Sequence, residues 1–202
     1  MVISSLRRTV AEHVTVSFED GTEVPSTLGV ITEMMLYSGK NLDDSESERL
    51  RCLSERALVL EKAINLLSFS RMSAKELHRK LVHKGVESDT ADAVVEKLQD
   101  LRLLDDAEYA AAVARHYAAK GYGAGRIRAE FSRRGIDRDL WDEALDSAPQ
   151  PDDQIDRFVR TKLKDPDDRD QVRKVSAALS RRGFSWDEIH SAISRYSETS
   201  ED

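Results

Sequence analysis

Leu77-His-Arg-Lys-Leu-Val-His-Lys-Gly-Val86 occurs in variant form twice more, as Ile127-Arg-Ala-Glu-Phe-Ser-Arg-Arg-Gly-Ile136 and as Val175-Ser-Ala-Ala-Leu-Ser-Arg-Arg-Gly-Phe184. The glycines, Gly85, Gly135 and Gly183, are 50 and 48 residues apart. Each copy opens on an apolar pair at i and i+4: Leu77/Leu81, Ile127/Phe131 and Val175/Leu179. Residues so spaced share one helix face, so each pair predicts the buried side of a short amphipathic helix. The glycine then takes the left-handed conformation that ends the helix. A second apolar set follows at helical spacing: Ala91/Val94/Val95, Trp141/Ala144/Leu145 and Ile189/Ala192/Ile193. A register kept over three copies is the mark of an internal repeat.

Outward from these segments, start signals delimit the units. Ser73-x-x-Glu76, Asp105-x-x-Glu108 and Ser185-x-x-Glu188 read as capping boxes, with Asp105 the variant cap. Three units of three helices follow, over 55–104, 105–148 and 152–197. No unit of this size covers its own apolar face, so neighbours are expected to stack. The prolines in Ser147-Ala-Pro-Gln-Pro-Asp152 mark the clearest joint, because proline cannot continue a helix. Residues 1–54 form an extension. There Val14-Thr-Val-Ser-Phe18 alternates like a strand, Asp20-Gly21 is a hairpin-turn dipeptide, and a short return runs near Glu23 to Pro25. A short helix is expected around Thr27 to Tyr37, a polar loop over Ser38 to Ser47, and helix from about Ser47 onward. The fold class is therefore all-α: an elongated tandem array of three three-helix repeats behind a small N-terminal β-hairpin and helix.

Composition narrows the function. Of 202 residues, 40% are hydrophobic and 34% charged, a balance suited to a long molecule with much surface. Aromatics make up only 6%, too few for large base-stacking platforms. Cys52 is the one cysteine, which excludes an internal disulfide and a cysteine zinc site and agrees with a reducing compartment. Met1 to Gly21 holds no long apolar run, so neither a signal peptide nor a membrane anchor is read there, and a cytoplasmic location is expected. The histidines, His13, His78, His83, His116 and His190, show no i,i+4 pairing, which speaks against metal ligation. Serine and histidine lack any nucleophile signature, and helix capping accounts for Asp105-Asp106. Gly121-Tyr-Gly-Ala-Gly125-Arg126 lacks phosphate-loop spacing and reads as a flexible turn between helices. No enzyme and no cofactor are expected.

Charge points to binding. The net charge is −7, against a simple DNA-coating protein, yet Arg115 to Arg138 carries seven basic residues against Glu130 and Asp137. The doublets His83-Lys84, Arg133-Arg134 and Arg181-Arg182 recur before each repeat glycine. Cations in a last helical turn offset the helix dipole by ~0.3–1 kcal/mol, and one per helix would suffice. The excess, with Lys75, Arg79, Arg126, Arg128 and Lys174 upstream, predicts a basic stripe for a phosphate backbone or an acidic protein groove. The candidate binding residues are Lys75, Arg79, Lys84, Arg126, Arg128, Arg133, Arg134, Lys174, Arg181 and Arg182.

Several segments also resemble the RecX family of bacterial RecA regulators. These are Ala63-Ile-Asn-Leu-Leu-Ser-Phe-Ser-Arg-Met-Ser-Ala-Lys-Glu-Leu77, Lys84-Gly85, Leu101-Arg-Leu-Leu-Asp-Asp106, Tyr109-Ala110, Gly125-Arg-Ile-Arg128 and Arg134-Gly-Ile136. The likeness covers roughly 57–197. The N-terminal hairpin and Leu36-Tyr-Ser-Gly-Lys-Asn-Leu42 are similar, more weakly, to the longer members. Lys164-Asp-Pro-Asp-Asp-Arg169 departs from the pattern as an insertion. The resemblance implies a monomeric, non-enzymatic inhibitor lying in the groove of the RecA–DNA filament, limiting strand exchange and ATP hydrolysis in DNA repair and the SOS response, with single- or double-stranded DNA as a further partner. The residues alone leave open a nucleic-acid-binding helical repeat or a general protein scaffold.

Overall fold

The computed structural model describes residues 1–9, 12–149 and 152–200. Its elements run β1 (Ile3–Arg8), β2 (His13–Phe18), β3 (Glu23–Thr27), α1 (Leu28–Glu33), α2 (Asp44–Phe69), α3 (Ala74–His83), α4 (Ser88–Asp100), α5 (Asp106–Ala119), α6 (Ala124–Arg134), a 3-10 turn (Arg138–Leu140), α7 (Trp141–Asp146), α8 (Asp152–Lys162), α9 (Arg169–Arg181) and α10 (Trp186–Ser200). The chain forms two compact units, one of Met1–Arg71 with Glu76–Leu104 and one of Met72–Lys75 with Asp105–Asp202.

In the first unit the expected hairpin is present but belongs to a three-stranded antiparallel sheet of order β1-β2-β3. Gly21 takes φ +85°, and the Asp20 carboxylate accepts the Thr22 N–H at 2.9 Å, closing the β2–β3 turn. Strand β1 escaped the sequence reading for a physical reason. Only Ile3 is buried in it, and a register shift falls between Ile3 and Ser5, so no alternation is written there. Its exposed Arg7 and Arg8 suit a sheet edge. Val14, Val16 and Phe18 point from β2 into a core with Val24, Val30, Ile31, Leu42 and Leu50.

Helix α2 begins at Asp44, earlier than expected, because Asp43 closes a capping box: the Glu46 N–H reaches the Asp43 carboxylate at 2.7 Å and the Asp43 N–H reaches the Glu46 carboxylate at 3.1 Å. It continues unbroken past residues 54 and 55. One end, through Leu50 and Ser54, covers the sheet, and Ser54 donates to Ser26 at 2.8 Å in the interior. The helix also packs against α4. A single rod thus serves both the N-terminal extension and the first repeat.

Each repeat ends its middle helix in the same way. The residue after the glycine donates its N–H five residues back: Val86 to Leu81 (3.2 Å), Ile136 to Phe131 (3.0 Å) and Phe184 to Leu179 (3.3 Å). The glycines have φ +87°, +70° and +89°. This is the Schellman termination, in which the residue past the glycine also packs back on the helix. Leu81, Phe131 and Leu179 are fully buried, and Val86, Ile136 and Phe184 are buried as well. The repeated spacing of apolar, glycine, apolar is the sequence trace of this motif. Of the start signals, Asp105 accepts the Glu108 N–H at 2.9 Å, and Ser185 and Glu188 make a reciprocal pair. The Ser73 hydroxyl donates to the Arg134 carbonyl, a tertiary contact.

In the second unit α5, α6 and α7 enclose Val113, Ala114, Ile127, Phe131 and Ala144, while α8, α9 and α10 enclose Ile155, Val159, Leu163, Leu179 and Ile189. Between the two cores the Gly121–Gly125 segment is a tight joint rather than a flexible turn. Gly123 donates to the Arg182 carbonyl at 3.0 Å and Gly125 to the Gly183 carbonyl at 2.9 Å. A Cβ on Gly123 would stand 2.5 Å from the Gly183 oxygen, so two backbones occupy the space a side chain would need. The equivalent contact also lies in this unit: Ser73 meets the Arg134 carbonyl, and the Lys75 stem lies against Gly135. The turn before the middle helix of one repeat thus seats on the glycine-capped end of the next, twice. At the Ser147–Asp152 joint, residues 150 and 151 lie outside those described. The Lys164–Arg169 departure is an acidic loop whose Asp168 caps α9 through the Asp170 and Gln171 N–H groups at 2.9 and 3.1 Å.

Candidate interaction surface

The ten cations read from the sequence divide by partner. Arg79 and Lys84 stand exposed on and just after α3 in the first unit. In the second unit the seats described above bring cations into pairs: Lys75 beside Arg134-Gly135, and Arg126 beside Arg182-Gly183. Among the described residues no carboxylate lies within 4.0 Å of Lys75, Arg79, Lys84, Lys174, Arg181 or Arg182.

The other four have acidic partners. Glu130 on α6 is the hub, with a side chain only 8% exposed. Arg133 reaches it through Nη2 at 2.7 Å and Nε at 3.1 Å, Arg134 approaches at 3.5 Å and Arg126 at 4.0 Å. The hydrogen-bonding Arg133 guanidinium holds the Glu130 carboxyl below its usual range against the cost of burial. Arg134 is half-buried, donates to the Tyr109 hydroxyl at 2.6 Å and lies over that ring. Arg128 pairs with Asp142 at 3.6 Å. The helix-end reading thus describes Arg133 and Arg134 in part, since one buried carboxylate organises both. The first and third repeats carry Lys80 and Ala178 at the corresponding place, so this hub is particular to the second.

Arg182 leads to a feature that doublets cannot show. Its guanidinium lies 4.6 Å from the Phe158 ring centroid, at one wall of a cavity of about 500 Å³. Lys120, Arg157, Thr161 and Lys162 line the same space, and none of the described residues that line it carries a carboxylate. Lys120 lies in the basic block noted above, but Arg157 and Lys162 carry no repeat signature and only packing brings them to Arg182. No group of three or more His, Cys, Asp or Glu residues suited to a metal occurs among the described residues, and no helix there is long and apolar enough to cross a membrane.

Fold and surface define a class: a tandem three-helix-repeat protein in which several surface cations have no acidic partner among the described residues. Family models place it further. RecX first, second and third three-helix domains match residues 60–98, 105–145 and 153–193, in order. The chain is 39% identical over 158 residues to the regulatory protein RecX of Xanthomonas axonopodis pv. citri (strain 306), covering 75% of this chain and 96% of that one. It is 37% identical over 153 residues to that of Stenotrophomonas maltophilia (strain R551-3), covering 74% and 93%. A crystal structure of regulatory protein RecX superposes with a TM-score of 0.76 at 20% identity, over 96% of this chain and 98% of that chain. RecX from Lactobacillus salivarius superposes at 0.64 with 24% identity, over 70% and 96%. The chain belongs to the RecX family of regulatory proteins.

Proposed function

We propose that this protein is a non-enzymatic inhibitor of the RecA recombinase, acting as a monomer in the cytoplasm. It seats in the helical groove of the RecA–DNA filament and limits strand exchange and ATP hydrolysis, which places it in DNA repair and the SOS response. The observation that carries this reading is the ordered match of all three RecX three-helix domains. Support also comes from the cations without acidic partners among the described residues, Lys75, Arg79, Lys84, Lys174, Arg181 and Arg182, which suit phosphate or acidic protein surfaces. Repeats that each bring a few weak contacts add affinity through effective concentration once the first engages. Titrating the protein into a RecA DNA-dependent ATPase assay tests the proposal. Progressive loss of ATPase activity is expected, and an unchanged rate at several-fold excess over RecA overturns it.

A second reading, a nucleic-acid-binding protein acting without RecA, is favoured by Lys120, Arg157, Lys162 and Arg182 lining one cavity. Gel shifts in the absence of RecA separate the two. A pull-down returning a different stoichiometric partner and no recombinase would favour a general scaffold.

A further inference from the structure

We propose that the first unit carries a binding site for an aliphatic chain ending in a carboxylate, in a trough between α1, α2 and α4. Each of the three helices turns one face toward it. Leu53, Ala57 and Leu60 stand at i, i+4 and i+7 on α2, and Ala93 and Lys97 at i and i+4 on α4. Val30 and Glu33 stand at i and i+3 on α1. The space they enclose is about 330 Å³. Its opening follows from the chain. Helix α1 has six residues and ends at Glu33, and Met35 with φ +48° then turns the chain, so α1 follows the long α2 for less than two turns. Ala57 and Ala93, the small residues of the lining, leave width between α2 and α4. Val30 and Val94 are buried there, while Leu53, Ala57, Leu60 and Ala93 are half-buried, so apolar walls meet water in a concave space. Water against such a wall lacks hydrogen-bond partners, and an apolar chain that displaces it gains affinity.

The polar groups select the end of the ligand. Among the described residues that line the trough, Glu33 carries the one carboxylate, and Arg49 approaches it at 3.6 Å. Arg56 and Lys97 are exposed on the same lining, and among the described residues neither has a carboxylate within 4.0 Å. Two cations left over beside an apolar trough complement an anionic head and repel a cationic one. The volume stands at the lower end of small-ligand sites, roughly 300–1,000 Å³, which suits one chain with a small head better than the several side chains of a docking helix. A free medium-chain fatty acid has this chemistry.

This inference goes beyond the regulatory role, and neither RecA nor DNA enters its test. Sodium decanoate is titrated into the full-length protein, with calorimetry for affinity and amide chemical shifts for location. Saturable binding below about 1 mM is expected, with the largest shifts at Ala57 and Ala93. Octanoate should bind about tenfold more weakly and hexanoate weaker again by a similar factor, since each step removes two buried methylenes. Decyltrimethylammonium, the same chain with the opposite charge, should bind about tenfold more weakly than decanoate. Arg56→Gln/Lys97→Gln is expected to erase that preference, and Ala93→Leu, whose side chain fills the trough, to abolish binding of both. Circular dichroism checks that the variants keep their helices; if Ala93→Leu unfolds, the charge variant, altered only at exposed side chains, decides. No saturable binding of decanoate, shifts centred outside the trough, affinities independent of chain length, or a preference for the carboxylate that survives Arg56→Gln/Lys97→Gln would each overturn the proposal.

Discussion

Gly123 donates its N–H to the carbonyl of Arg182 at 3.0 Å, so the turn of one repeat takes up a main-chain acceptor at the capped helix end of the next. The last carbonyls of a helix lack partners within it, and one buried without a partner is costly. Here the neighbouring repeat supplies the partner. In the earlier seat of the same unit the Ser73 hydroxyl performs the same service for the Arg134 carbonyl. Two chemically different donors at equivalent positions meet the same need.

This makes the repeat glycines unequal. Gly85 has open space where a Cβ would go, a Cβ on Gly135 would stand 3.2 Å from the flexible Lys75 stem, and a Cβ on Gly183 would collide with the Arg126 main-chain nitrogen. Alanine at Gly85 should cost only the left-handed backbone penalty, about 1–2 kcal/mol. Gly135→Ala should cost slightly more, and Gly183→Ala clearly the most, because backbone must move. Urea denaturation of the three variants checks the order, and equal losses would remove the joint from the account.

Leu81 and Leu179 hold matching places in the first and third repeats, and both are fully buried. Leu81→Ala and Leu179→Ala should each destabilise by about 2–5 kcal/mol, the range for emptying a packed core site. Thermal melts should show both losses; a loss under 1 kcal/mol at either place would mean the helix face is not packed as described.

Asp106 illustrates a carboxylate kept at a cost. Its Oδ1 accepts the Ala74 N–H at 2.8 Å, yet burial outweighs that bond and pushes its carboxyl above the ordinary range. A raised pKa means that the folded protein holds this proton more tightly than the unfolded chain, so the group lowers stability at neutral pH and ceases to as pH falls through the raised value. Asp106→Asn keeps the acceptor without the charge. It should raise the melting temperature at pH 7, with a gain that shrinks on acidification, whereas Asp106→Ala should lower it at pH 7.

Glu130 has the opposite sign. Its lowered pKa gives stability that is full above the ordinary glutamate value and lost as pH falls through the depressed one. Glu130→Gln should therefore lower the melting temperature at pH 7 and flatten the acid limb of the stability curve. Melts between pH 7 and pH 3 provide the check.

The hub also separates arginines that the sequence treats alike. Arg134 is half-buried on Glu130 and Tyr109, while Arg181 is exposed without an acidic partner among the described residues. Arg134→Glu should cost stability, and Arg181→Glu should leave the melt unchanged while weakening inhibition of RecA ATPase. Full inhibition by a folded Arg181→Glu/Arg182→Glu protein would assign those cations to the helix ends alone.

Local rules made much of this protein legible from its residues. Apolar pairs at i and i+4 with a glycine at a fixed distance write the amphipathic helix and its Schellman end into consecutive positions, so three copies reveal three repeats. The edge strand β1 left no such trace, because an edge with a register shift needs no alternation, and the Asp43 cap lay inside a segment that otherwise reads as loop. Candidate cations were legible as a class, but their state was not. Whether an arginine faces solvent, a buried Glu130 or the Phe158 ring depends on residues far away in the chain, which no periodicity records. Likewise Lys120, Arg157 and Lys162 become neighbours of Arg182 only when α5, α8 and α9 pack. Secondary structure and repeat register follow from interactions spanning a few residues and are written in the chain; the joint at Gly123 and the charge of the cavity arise from side chains and carbonyls that meet only after folding, and so only the tertiary structure decides them.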